Sequence, residues 1–136
     1  MTMNLFKSIY NLKGDNSRIK MVQEASLDNK SFAGYKQENG LLFGTKEWFD
    51  AIETGKILKN VVRGVITRVY MSGQNDFPEF EVENIEGKTI WTRLGNETDY
   101  QVGKNVELIY VEQKFKRPTG ITGIISKCVI EIKISE

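Results

Sequence analysis

The chain has 136 residues, 40% hydrophobic and 27% charged, a composition that suits one ordinary folded domain and argues against wholesale disorder. It has no histidine and one cysteine, Cys128, which excludes histidine-based catalytic triads and dyads, histidine zinc sites, Cys-x-x-Cys redox chemistry and an internal disulfide. With 19 basic and 18 acidic side chains the net charge is +1, so no global field draws the molecule to nucleic acid or membrane.

The first ten residues lack the apolar core and small-residue cleavage site of a signal peptide, and no apolar run approaches the ~20 residues needed to cross a bilayer. These features predict a soluble, cytoplasmic chain with a reduced thiol and no membrane contact. Met3, Phe6, Ile9 and Tyr10 recur at spacings of three and four, which predicts a short amphipathic helix over 3–12. Weak alternation of Ile19, Met21 and Gln23 against Lys20 and Val22 predicts a strand over 17–25, and the polar stretch 28–40 predicts a loop. Over 45–54 the helix signal is clear. Thr45 is the N-cap, Trp48, Phe49 and Ile52 share a face, and Gly55 ends the turn.

Beyond residue 60, β-branched residues dominate and turn signals separate short runs, predicting strands over 60–70, 77–84, 88–94, 104–115 and 127–134. Taking Ile85-Glu86-Gly87 as a three-residue hairpin loop pairs Val82 with Ile90, Glu81 with Trp91 and Glu79 with Arg93, which keeps apolar and charged pairs on separate faces. In the last strand Cys128, Ile130, Ile132 and Ile134 point inward, making Cys128 a core residue rather than a nucleophile.

Five short antiparallel strands and one capping helix predict a mainly β protein of the α+β class. The glycine-interrupted run Val61-Val62-Arg63-Gly64-Val65-Ile66, the following meander and the turn-plus-strand from Tyr100 to Leu108 resemble an OB-fold over roughly 60–134. No segment between Gly95 and Gly103 is long enough for the helix usual between the third and fourth strands of that fold, so helix 45–54 is expected to plug the barrel. An SH3-like barrel is the alternative architecture. Residues 1–44 are expected to form an N-terminal helix and irregular segment packed on the barrel, and 45–136 the helix-capped barrel itself, one domain overall.

The resemblance implies a ligand face across the second and third barrel strands, between the loops 71–76 and 116–123. Near it lie Tyr70, Trp91 and Arg93, and the run Lys114-Phe115-Lys116-Arg117 sets three cations around a ring, a composition able to hold a phosphate chain and stack a base. The plainer reading of that run is a solvated hairpin end. Trp91, taken as outward on its strand, equally suits packing against the N-terminal segment. Glu79, Glu81 and Glu83 form a carboxylate ladder on the same outer surface, and residues 61–100 carry a net −3, which repels a polyanion.

Asp76, Glu79, Glu97 and Asp99 are acid–base candidates, but their spacing says nothing about spatial proximity. No calcium loop, P-loop or dinucleotide fingerprint occurs, and neither a catalytic residue, a metal nor a cofactor is expected. The sequence thus predicts a non-catalytic binding module that contacts a protein partner through aromatic and arginine anchors. Weak single-stranded nucleic-acid binding is the runner-up, and a carboxylate enzyme the third reading.

Overall fold

Asp15 opens the first helix, its side chain accepting from the Arg18 N–H at 3.2 Å. In the computed structural model the residues described are 5–28, 30, 34–37, 40–71, 77–119 and 123–135, with the backbone alone described at 117–119 and 123–124. The elements are β1 (Phe6–Asn11), α1 (Asn16–Leu27), α2 (Lys46–Glu53), β2 (Asn60–Met71), β3 (Pro78–Asn84), β4 (Gly87–Thr92), β5 (Asn105–Thr119) and β6 (Gly123–Ser135). Short 3-10 turns occupy Leu12–Gly14 and Glu97–Asp99. The chain forms two compact units, one of Met1–Tyr10, Val61–Ile109 and Glu131–Glu136, the other of Asn11–Asn60 and Tyr110–Ile130.

The strands form one sheet ordered β1-β6-β5-β2-β3-β4, with β2–β3 and β3–β4 antiparallel. The mainly β, α+β reading stands. The sheet has six strands rather than five and is open, so the expected closed barrel is corrected. Its edge strands come close at one point. A Cβ on Gly95, which follows β4 and has φ +78°, would lie 2.7 Å from the Ile9 carbonyl oxygen of β1. Ile66, Phe80, Val82, Trp91, Tyr100, Val106, Leu108, Ile132 and Ile134 make the core of the first unit. Gly64 lets β2 and β3 approach, because a Cβ there would stand 2.5 Å from the Glu83 carbonyl oxygen. The irregularity that bends β2 lies further on, between Ile66 and Arg68.

Two expected elements are corrected. Residues 6–11 form a strand instead of part of a helix. Phe, Ser, Ile, Tyr and Asn are indifferent helix formers, a helix of that length is marginal, and β6 offers a partner strand that Ser8 joins with a 2.7 Å hydrogen bond to Glu131. Residues 3–4 of that expectation lie outside the described residues. Residues 17–25 form α1 instead of a strand. The inward face carries Ile19 and Val22 with the polar Gln23 and Ser26, while Met21 and Leu27 point out, so the hydrophobic stripe is blurred. Gln23 donates to the Phe43 carbonyl at 2.9 Å, and Ser26 accepts from the Tyr35 N–H at 3.0 Å. The helix expected over 45–54 is α2, with the Thr45 hydroxyl accepting from the Trp48 N–H.

The β3–β4 register is also corrected. Asn84 pairs with Gly87 around a two-residue loop, which sets Val82 opposite Thr89, Glu81 opposite Ile90, Phe80 opposite Trp91 and Glu79 opposite Thr92. The three-residue loop requires a half-buried strand, yet Phe80, Glu81 and Val82 are buried in succession, so alternation carries no information there. Asn84 fixes the turn, accepting from the Glu86 N–H and donating to the Arg63 carbonyl, both at 2.9 Å.

Candidate functional site

The outer face of the β2–β3–β4 meander follows from this register. Three rows cross it: Val65–Glu83–Lys88, Arg68–Glu81–Ile90 and Tyr70–Glu79–Thr92. Glu81 is its hub. Only 7% exposed, it accepts from the Thr67 hydroxyl at 2.8 Å and has Lys88 at 3.8 Å and Arg68 at 3.9 Å. A buried carboxylate with such partners keeps its charge in place, whereas deleting one partner leaves it uncompensated. Arg63 pairs with Glu107 at 2.9 Å, and the Arg68 guanidinium lies 4.5 Å from the Tyr70 ring centroid. The face is therefore mixed in charge, with the central carboxylate of the ladder, Glu81, answered by Arg68 and Lys88.

Tyr70 is half-buried on this face. Arg93 turns back to the β2 end, donating to the Tyr70 carbonyl at 3.1 Å and reaching the Met71 sulfur at 3.4 Å. Trp91 corrects its expected outward placement. It pairs with Phe80 on the core face, is 7% exposed and donates to Thr89 Oγ1 at 2.8 Å, so its ring offers no platform for a base. Residues 72–76, with the candidate Asp76, lie outside the described residues, as do 120–122 of the second loop. Glu79 sits on β3, and Glu97 and Asp99 in the 3-10 turn that bears their numbers.

In the second unit, five aromatic rings run in contact, Phe115–Tyr35–Phe43–Trp48–Phe49, with centroids 5.5, 5.6, 4.7 and 5.1 Å apart. Phe115, a sequence candidate, is thus the end of a packed stack. Tyr35 bridges to it across the backbone, with the Lys36 N–H on the Lys114 carbonyl at 2.8 Å and the Lys116 N–H on the Gly34 carbonyl at 2.9 Å. The Lys116 ammonium donates to the Ala25 carbonyl at 2.7 Å and to the Asp28 carbonyl. It thereby supplies the cation that the last turn of α1 lacks. The Lys114 side chain is exposed, and the side chain of Arg117 lies outside those described.

Cys128 is fully buried beside Tyr35, and burial pushes its thiol above the usual range. The native chain is expected to resist a thiol reagent such as iodoacetamide at pH 8 and to label at one site once unfolded in guanidinium. Rapid labelling without denaturant would contradict the core placement.

Sequence reasoning missed one further feature of this unit. A cavity of about 300 Å³ is lined by Leu41, Trp48, Lys56, Leu58, Asn60 and Gln113, among others. Trp48 is 1% exposed, and its Nε1–H has no hydrogen-bond partner among the described residues. A buried N–H without an acceptor costs about 1–3 kcal/mol and is uncommon in folded proteins. The only sequence signal was an indole on a helix too short to bury it alone.

No helix among the described residues is long and apolar enough to cross a membrane, and no described group of three His, Cys, Asp or Glu residues could hold a metal ion. A family model described as "Immunity protein RhsI2" matches residues 3–135. No curated protein matches the chain.

Proposed function

Because the chain belongs to the RhsI2 immunity protein family, we propose that it neutralises a toxin protein by binding it, as a stoichiometric and non-catalytic inhibitor. The observation that carries this reading is the reach of the family match, which takes in residues of both compact units. The surface chemistry supports it. Cations and carboxylates alternate across the meander, as Arg68, Glu81 and Lys88 do, beside the exposed Ile90 and the half-buried Tyr70. Such a surface favours a specific mixed-charge protein over a polyanion. The interface residues expected from sequence, Tyr70, Arg93, Lys114, Phe115 and Arg117, remain proposals within this reading, whereas Lys116 and Trp91 serve the packing.

Co-expression of the chain with a candidate toxin domain tests the proposal. The expected result is restored growth only when the chain is at least equimolar with the toxin, together with a complex that survives size-exclusion chromatography. Protection at a small fraction of the toxin's level, without a complex, would overturn it in favour of an enzyme.

A further inference from the structure

The α2 side of the second unit has the attributes of a gripping site that the meander lacks. The cavity beneath Trp48 adjoins a second one of about 630 Å³, and the two share Leu41 and Lys56. Glu47 and Asp50 wall the second and Glu112 the first; Asp50 pairs with Lys46 at 3.0 Å, so Glu47 and Glu112 share the paired cavities with the Lys56 ammonium. Apolar surface lies between them, and Leu58 at the first cavity is 76% exposed. Trp48 lies buried beneath the first cavity, so its indole reports whether the cavity is filled.

We propose that these cavities form one groove that takes an extended segment of the toxin carrying aliphatic side chains and lysine or arginine. Its aliphatic groups cover Leu41 and Leu58, and its cations face Glu47 and Glu112. The proposal rests on the toxin-binding reading above and adds where, and to what chemistry, the chain binds.

The two tryptophans make the test direct, because Trp48 and Trp91 give two indole N–H signals in the ¹⁵N-labelled chain and belong to different units. The first probe is an acetylated, amidated Leu-Lys-Leu-Lys-Leu-Lys-Leu peptide, with the same peptide carrying Glu for Lys as its control. The lysine peptide is expected to move the Trp48 signal saturably and leave Trp91 in place, while the glutamate peptide moves neither. Leu58→Asp and Glu112→Lys, both at exposed side chains, are each expected to weaken binding about tenfold with the thermal midpoint retained. No movement of Trp48, or equal movement with both peptides, overturns the proposal.

The second probe is the toxin identified by the growth test. Movement of Trp48 and loss of the complex in Leu58→Asp supports the groove. Movement of Trp91 alone overturns the groove while toxin binding stands. Failure of the wild-type chain to bind any toxin removes the functional reading, and the toxin as occupant with it.

Discussion

Replacing Phe80 with alanine is expected to cost about 3–5 kcal/mol, the range for emptying a fully buried phenylalanine site. Phe80 is 0% exposed, its ring lies 4.7 Å from that of Tyr100, and it stands opposite Trp91 in the register. Neighbours on both sides are held by ladder hydrogen bonds, so the site cannot collapse to refill the void. Against a typical total of about 5–15 kcal/mol, the loss removes roughly a fifth or more of the stability. Urea unfolding reads it as a lower midpoint with an unchanged slope. Ile90→Ala on the same hairpin serves as the control, because Ile90 is 44% exposed and faces outward beside Glu81, and its change is expected to stay near or below about 1 kcal/mol. A Phe80→Ala chain as stable as wild type would show that the meander does not carry the fold. Under the proposed toxin-binding reading, protection is expected to fail on warming before affinity at low temperature does, since the variant loses folded chain rather than a contact.

The elements legible in the sequence are those whose pattern is local. Thr45, Glu47 and Gly55 fix α2 by cap chemistry that needs no tertiary partner, and the alternation around Cys128 and Ile132 fixes the face of β6. Elements that depend on distant groups were misread. The β1 conformation is decided by β6 more than a hundred residues away, and α1 hides its inward face behind Gln23 and Ser26, polar residues buried because Phe43 and Tyr35 answer them. The β3–β4 register failed for a related reason. Glu81 reads as a solvent residue in any pattern, yet Thr67, Arg68 and Lys88 converge to bury it. The basic run at 114–117 was visible as composition, but Lys116 belongs to the end of α1 and Phe115 to an aromatic stack. Composition states which groups are present, and only the fold states which are already spent.

Raising the pH from 9 to 12 is expected to unfold the chain progressively, with buried tyrosines as the cause. Burial, helped by the neighbouring Cys128 thiol, pushes the Tyr35 hydroxyl up to about 12 against an ordinary value near 10, while its Ser126 partner pulls weakly the other way. Burial also raises Tyr100, whose hydroxyl donates to the Leu94 carbonyl at 2.6 Å. The unfolded chain releases these protons near pH 10, and the folded chain retains them to higher pH. Between the two values the folded state binds more protons, so stability must fall as pH rises. It is present in full below about pH 10 and is lost through about pH 12. For Tyr35 alone the loss amounts to roughly 3 kcal/mol, and Tyr100 adds to it in the same direction. Urea unfolding at steps from pH 8 to 12, with phenolate absorbance followed in parallel, measures both halves of the linkage. Tyr35→Phe keeps the ring between Phe43 and Phe115 but removes the proton, so its stability should decline less steeply over the same interval. Equal slopes for the variant and the wild type would show that the Tyr35 hydroxyl ionises without opening the second unit, and the burial argument for that residue would fail.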